Sequence, residues 1–210
     1  IPKSLEPRER IAIWLIGAGH LVSHFYHMVL PMMFPFIVSD LGVSVTEIAF
    51  SMTLYFVSTA IVQVPIGLLV DKVGARVILI AGMVLMGCAM VIAGLLPNYL
   101  VILSAAFIAG IGNAVFHPAD FSILAAKLDK NIFGRAVSIH SFMGYLGWAG
   151  ASLIMLPIAQ LTSWRIALLA VGIVGAIITL GMLWRSGYLD DAADTENIDV
   201  DNEGLIQGLF

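Results

Sequence analysis

The segment Gly67-Leu-Leu-Val-Asp71-Lys-Val-Gly74-Ala-Arg76 is a short polar connection between two long apolar stretches. It sets a glycine, an acid, a second glycine and a base at fixed spacing. Gly67 permits the close approach of a neighbouring helix, and Gly74 permits a turn with positive φ. Asp71 and Arg76 can exchange charge across the loop or cap a nearby helix amino terminus. By itself the segment predicts a tight hairpin between two helices.

The composition around this segment predicts a membrane protein. The chain is 60% hydrophobic and 11% charged over 210 residues, so a water-soluble domain would lack the polar surface to cover its apolar side chains. A helix needs about 20 mainly apolar residues to span roughly 30 Å of hydrocarbon, because its backbone amides must be satisfied within the segment. Six stretches meet this requirement and predict an all-α membrane protein with spans at 11–38, 48–70, 77–96, 99–124, 136–158 and 166–184.

The distribution of basic residues predicts the orientation. When the connections alternate across the membrane, nine of the ten Lys and Arg residues fall on one side and only Arg165 falls on the other. Basic residues stay cytoplasmic, which places both termini in the cytoplasm. Residues 1–10 are then a cytoplasmic segment, and the bundle of residues 11–185 is a multi-pass protein of the cytoplasmic (inner) membrane.

The composition changes abruptly after the sixth span. Residues 186–210 hold seven of the 14 acidic residues, so we expect a disordered cytoplasmic linker. The chain begins with Ile1 rather than methionine and stops at Phe210 without an evident closing element. These ends predict that the linker leads to a second half of a longer protein.

The loop segment resembles the signature Gly-x-x-x-Asp-x-x-Gly-x-Arg/Lys of the major facilitator superfamily, which joins the second and third of twelve helices. The resemblance covers the six spans and their loops but not the acidic tail. It implies an amino-terminal six-helix half, made of two three-helix repeats, whose partner is a carboxy-terminal six-helix half. It also implies a cytoplasmic gate that includes the motif residues Gly67, Asp71, Lys72, Gly74 and Arg76.

Two motifs of proton-coupled drug exporters in that superfamily are missing. Ala106 stands four residues before Gly110, where such exporters carry an arginine in the fourth span. The fifth span has Gly144, Gly147 and Gly150 but lacks the Gly-Pro pair of antiporters. Both absences weaken an assignment to multidrug antiport.

Polar side chains inside the predicted spans are candidates for function, because an ionisable group in hydrocarbon costs several kcal/mol. Three histidines of the first span share one helical face, and the same spacing recurs in the fourth span. Spans three and six hold no charged residue or histidine between their ends. The superfamily resemblance implies that spans one, two, four and five line a central cavity, which agrees with this distribution. The candidates for substrate or proton binding are His20, His24, His27, Asn113, His117, Asp120 and His140.

These residues are predicted to form two sets that lie at different depths in the membrane. His24 is expected near the midplane, where transporters bind substrate between their halves. His117, Asp120 and His140 are expected in the cytoplasmic third. We hypothesise that the first set contacts substrate or protons and that the second controls the inner gate or relays a proton, since imidazole titrates near physiological pH. The alternative is that these histidines make local hydrogen bonds and only pack the bundle.

The segment from Gly110 to Pro118, with Gly-x-Gly followed by Phe-His-Pro, resembles the fosmidomycin-resistance branch of the superfamily, as does Gly134-Arg135-Ala136. Pro118 removes a backbone donor and is expected to kink the fourth span. The first span departs from the branch, because Ser23-His24-Phe25 stands where a His/Asn-Asp pair is common.

These observations predict a secondary transporter that moves a small solute by alternating access, coupled to protons and favouring export, with no enzyme activity, cofactor or nucleic-acid partner. No Lys or Arg lies in the middle of a span, so this half has no group to hold phosphate or nitrate firmly there. One alternative is transport of a divalent transition metal or its chelate through His20, His24 and His27, since neutral imidazoles are good ligands. A membrane metalloenzyme is disfavoured by the lack of a His-Glu-x-x-His motif. A scaffold that recruits partners through the acidic tail is the remaining alternative.

Overall fold

A computed structural model describes residues 5–190 of the chain, and every described element is helical. The helices are α1 (Pro7–Leu41), α2 (Val45–Val73), α3 (Ala75–Leu95), α4 (Tyr99–Asn113), α5 (Phe116–Lys127), α6 (Lys130–Leu161) and α7 (Trp164–Trp184). A short 3₁₀ helix follows at Ser186–Tyr188. Six stretches are long and apolar enough to cross a membrane, with α4 and α5 together forming the fourth. The six-helix, all-α prediction is therefore confirmed.

Most of these helices run a few residues beyond the predicted spans. Hydropathy registers only the part inside hydrocarbon, whereas the helices continue to polar caps. Ser44 begins α2 through a capping box, in which its hydroxyl accepts from the Glu47 amide over 3.2 Å and the Glu47 carboxylate accepts from the Ser44 amide over 2.7 Å. At the other end of α2, Gly74 has φ 96°, which confirms the predicted turn with positive φ.

The fourth span is interrupted at Ala114 and Val115, which separate α4 from α5. Pro118 lies in the first turn of α5, and its nitrogen has no hydrogen to donate to the carbonyl of Ala114. The helix is thus interrupted close to the position of the predicted kink. Residues on α5 contact both α1 and α6.

The helices pair in a pattern that reflects two repeats of three spans. The first span (α1) packs along the fifth (α6), the second (α2) packs along the fourth (α4), and the third (α3) packs along the sixth (α7). If spans one, two and three are exchanged with spans four, five and six respectively, the same three pairs are obtained. Gly147 allows the closest approach of α6 to α1, because an added Cβ would collide with the carbonyl oxygen of Leu21.

The second and fifth spans leave the largest share of their length exposed in this chain. Their exposed side chains are large and apolar, including Ile61 and Val64 on α2 and Phe142 and Tyr145 on α6. At the start of the sixth span, Arg165 Nη2 lies 2.5 Å from an Asp40 carboxylate oxygen at the end of α1. This ion pair joins the first and sixth spans at one end of the bundle.

Residues 1–4 of the predicted amino-terminal segment lie outside the described residues. Residues 191–210, which are most of the predicted acidic linker, also lie outside them. The first residues of that linker are described and are structured, because Ser186–Tyr188 form the 3₁₀ helix and Leu189 is buried. Residue 186, where the predicted linker begins, is thus the first residue of this 3₁₀ helix. The bundle continues to Leu189 because this apolar side chain packs against the core.

Candidate functional site

The seven polar residues predicted from the sequence lie together in one group, which we call the histidine cluster. It is built by α1, by the end of α4, by α5 and by α6. Each ring or polar group contacts at least one other member across a helix boundary or along α1. The members are His20, His24, His27, Asn113, His117, Asp120 and His140.

Asp120 lies at the closed end of the cluster and is fully buried. His140 Nε2 donates a hydrogen bond to its Oδ2 over 2.9 Å, and His20 Nδ1 lies 3.4 Å from the same oxygen. The second carboxylate oxygen, Oδ1, is buried and has no hydrogen-bond partner within residues 5–190. In that part of the chain no Lys or Arg makes an ion pair with Asp120, and its ion-pair partners are the imidazoles of His20 and His140.

The imidazole rings around Asp120 are in mutual contact. His20 stacks on His140 with ring centroids 3.6 Å apart and an interplanar angle of 24°. His117 meets the edge of His20 at 5.2 Å between centroids. His20 and His140 are buried, whereas the side chain of His117 is exposed. His117 therefore gives the buried carboxylate a route to the surface of this half.

The other end of the cluster is organised by His27. Trp148 Nε1 donates to His27 Nδ1 over 3.2 Å, and His27 Nε2 lies 3.0 Å from the side-chain oxygen of Asn113. An indole nitrogen can only donate, so Nδ1 must accept and Nε2 must carry the proton. These two contacts fix His27 as the neutral Nε2–H tautomer. His24 connects the two ends, because its ring stacks on Trp148 at 4.7 Å and contacts His20 at 4.3 Å.

The two sets of residues that were predicted at different depths are in ring contact with each other in the structure. His20, which the sequence places with His24, lies within ring contact of His117 and His140. The imidazoles of α1 form a continuous series along the helix axis, and α5 and α6 approach one end of it. Sequence spacing gives positions along a helix but not the reach of side chains between helices.

The possible metal ligands also differ from the predicted set. His20, His24 and His27 share a face of α1, but their rings stand one above another along the axis. The group whose ligand atoms converge instead comes from three helices and consists of His20, His117 and His140, with these atoms all within 4.8 Å of one another. Convergence of this kind depends on helix packing and has no signature in the spacing along one helix.

Trp148 is a member of the site that sequence reasoning missed. It lies eight residues after His140 on α6, close to the same helical face, which is the signal that could have found it. Gly144 lies between them and leaves room for the histidines. A Cβ at Gly144 would lie 2.9 Å from His20 Cδ2 and from His24 Nδ1, so any larger residue would displace these rings.

The predicted gate residues occupy the connection between α2 and α3. Arg76 Nη1 lies 2.6 Å from Asp190 Oδ1, so its described ion pair joins the start of α3 to the chain after the sixth span rather than to Asp71. Asp71 and Lys72 are exposed. No described residue comes within 4 Å of a Cβ placed on Gly67, so the close helix approach expected there is not made within residues 5–190.

Comparison with known families gives a match over most of the chain. The sequence profile of the Major Facilitator Superfamily matches residues 16–203. The chain is 25% identical over 149 residues to a probable L-galactonate transporter of Escherichia coli, covering 70% of this chain and 33% of that protein. It is 24% identical over 162 residues to the niacin transporter NiaP of Acinetobacter baylyi, covering 77% and 37% respectively. The chain thus spans about a third of the length of these relatives.

A solved structure supports the same fold. A bacterial homologue of the human lysosomal transporter Spinster, in an inward-facing and occupied conformation, superimposes with a TM-score of 0.76 at 16% identity. The match covers 91% of this chain and 47% of that one. The six described spans therefore have the fold of about half of a transporter.

Proposed function

Because the chain belongs to the Major Facilitator Superfamily, we propose that it forms the amino-terminal half of a secondary transporter. This transporter moves a small solute across the cytoplasmic membrane by alternating access, and a carboxy-terminal six-helix half completes it. The relatives named above are transporters and not enzymes. The observation that carries the proposal is the histidine cluster, because polar groups inside a membrane face a bundle interior or a water-filled cavity and mark transport pathways.

The exposed faces of α2 and α6 support the position of the missing half. Both faces carry large apolar side chains, and the face of α6 continues directly into the histidine cluster through Trp148. A second six-helix bundle on this side would enclose the cluster between the two halves. Solute would then bind next to His24, His27 and Trp148, near the middle of the membrane.

The charge of Asp120 supports coupling to a cation. A buried carboxylate whose ion-pair partners are both imidazoles attracts a positive charge, since no Lys or Arg in the described part of the chain pairs with it. We propose that the proton is this coupling cation and that the solute is exported. The motif from Gly67 to Arg76 acts as the cytoplasmic gate, with both termini in the cytoplasm. Phe116-His117-Pro118 supports a position near the fosmidomycin-resistance branch.

Alternating access can be tested without knowing the solute. In the full-length protein freed of reactive cysteines, including Cys88→Ser, the substitution Tyr145→Cys places a thiol on the exposed face of α6 beside Trp148. Membrane-impermeant maleimide added to either side of oriented vesicles should label this thiol, since the cavity opens to each side in turn. Ile177→Cys, at an exposed position of α7, which packs along α3, is the matched control and should be labelled from neither side.

Labelling of residue 145 from one side only, or from neither, would contradict alternating access and favour the scaffold alternative.

Proton coupling needs a separate measurement. Vesicles that contain the transporter and a pH-sensitive dye should show proton movement when L-galactonate, niacin or fosmidomycin is added. Solute movement without a change in the dye signal would contradict proton coupling but would not contradict transport.

A further inference from the structure

We propose that the closed end of the histidine cluster is a binding site for a divalent transition-metal ion, held by His20, His117 and His140, with the Asp120 carboxylate beside it as the hydrogen-bond partner of His140. This inference goes beyond the transport of an organic solute. It does not depend on transport, because binding is measured at equilibrium on the purified protein. The site consists of residues from α1, α5 and α6.

The donor set is the first reason for this inference. Three imidazoles are a donor set that suits zinc and similar first-row divalent ions, with the remaining coordination position open. The histidine ligand atoms lie within 4.8 Å of one another. Two nitrogens bound to one tetrahedral zinc ion lie about 3.4 Å apart, given a Zn–N distance of 2.0–2.1 Å. The set must therefore contract by little more than about 1 Å.

Unsatisfied polar atoms at the site are a second and independent reason. His20 Nδ1 and Asp120 Oδ1 are both buried without a hydrogen-bond partner within the described residues. His20 is 2% exposed and Asp120 is 0% exposed, so bulk solvent does not contact either side chain. Buried polar groups of this kind normally have a partner, and a metal ion bound at His20 would supply one for its Nδ1 next to the Asp120 carboxylate.

The charge of Asp120 and the exposure of His117 also support a metal ion at this site. A divalent ion would offset the buried Asp120 carboxylate, whose ion-pair partners are both imidazoles. Asp120 also holds the ring of His140 through their 2.9 Å hydrogen bond, as carboxylates do for histidine ligands in metal sites. His117 is the exposed member, so its ring can move towards an entering ion without repacking the core. A bound ion would tie α1, α5 and α6 together.

Equilibrium binding to the full-length protein tests this site. The protein is purified in detergent without a polyhistidine tag, and zinc affinity is measured by competition with a chromophoric chelator. Co²⁺ is then used as a spectroscopic probe, because its visible bands report four-coordinate ligation. The wild type should bind one ion in this half. His117→Gln and His140→Gln should each lower zinc affinity at least about tenfold and remove the four-coordinate cobalt bands.

The matched controls are His24→Gln and His27→Gln, which make the same substitution in the other histidines of the cluster. Both should retain zinc affinity within about threefold, because neither ring belongs to the convergent set. Loss of binding in these two variants, with binding kept in His117→Gln and His140→Gln, would overturn the site in favour of the ligand set on one face of α1.

Absence of zinc and cobalt binding by the wild type would also overturn the inference, as would equal affinity in all four variants. His117→Gln keeps the test decisive if His140→Gln fails to fold, since His117 is exposed and its replacement leaves the core intact. The thiol labelling of residue 145 uses no metal, so a failure of this inference and a failure of the proposed transport would be separate results.

Discussion

Trp148 on α6 donates a hydrogen bond to Nδ1 of His27 on α1, and the 3.2 Å contact fixes which nitrogen of the imidazole carries the proton. His27 then presents Nε2–H to the side-chain oxygen of Asn113 at the end of α4. Three spans are thus linked through one neutral ring. The direction of the hydrogen bonds is determined by the indole, which has no acceptor.

Trp148→Phe should release the tautomer of His27, because phenylalanine preserves an aromatic ring but removes the only donor to Nδ1 in the described residues. Nitrogen-15 NMR of histidine-labelled protein should show His27 as a single Nε2–H tautomer in the wild type. In the variant, the His27 signals should show a mixture of the two tautomers. Tyr145→Phe is the control, since the described contact of Tyr145 with Trp148 is between rings. A single unchanged species in Trp148→Phe would contradict this role.

Gly144→Ala should disturb the histidine cluster and destabilise the protein. The added Cβ would lie 2.9 Å from atoms of both His20 and His24, so the rings must shift. Overpacking of this kind costs about 1–3 kcal/mol, which thermal unfolding in detergent can measure. We also expect loss of the wild-type zinc affinity, because His20 is displaced.

Gly150→Ala provides the control on the same helix. Its added Cβ would lie 3.9 Å from Phe25, which is ordinary van der Waals contact. Because alanine favours a helix interior over glycine by about 0.5–1 kcal/mol, this variant should be as stable as the wild type or slightly more stable. Equal destabilisation by the two substitutions would show that the histidine contacts are not the cause.

Asp71→Asn should alter the gate and not the stability. Asp71 is exposed, and surface substitutions usually change the free energy of unfolding by less than about 0.5 kcal/mol. If Asp71 helps to close the cytoplasmic side, the neutral variant should spend more time open to the cytoplasm. Labelling of Tyr145→Cys from that side should then rise several-fold. Unchanged labelling in this variant would leave Asp71 without a role in the gate.

Asp40→Asn should have a small effect that salt removes. The Asp40–Arg165 pair is about two-fifths exposed, and exposed pairs contribute about 1 kcal/mol or less. The variant should therefore unfold only slightly more easily than the wild type at low salt. In 1 M NaCl, where the screening length is about 3 Å, the difference should vanish. A loss of several kcal/mol at both salt concentrations would instead indicate a structural role for the hydrogen bond from Trp164 to Asp40.

The number of spans, the helix interruption near Pro118 and the turn at Gly74 could all be predicted from the sequence. Each depends on interactions between residues close in the chain: the length of an apolar stretch, a missing backbone donor, or the backbone freedom of glycine. The polar candidates were also identifiable, because any ionisable residue within an apolar span is conspicuous. Trp148 was not, since a tryptophan in a membrane helix has ordinary packing roles.

The pairing of these candidates was decided only by the tertiary structure. From the sequence alone, His20 is grouped with His24 and His27 on one helical face, and Arg76 is expected to interact with Asp71. In the folded chain His20 meets His140 and Asp120, and Arg76 meets Asp190. Such contacts depend on the distance and rotation between packed helices, which small residues such as Gly147 set locally and which the whole bundle fixes. Local sequence therefore determined the helices and their polar residues, while helix packing determined which of those residues form one site.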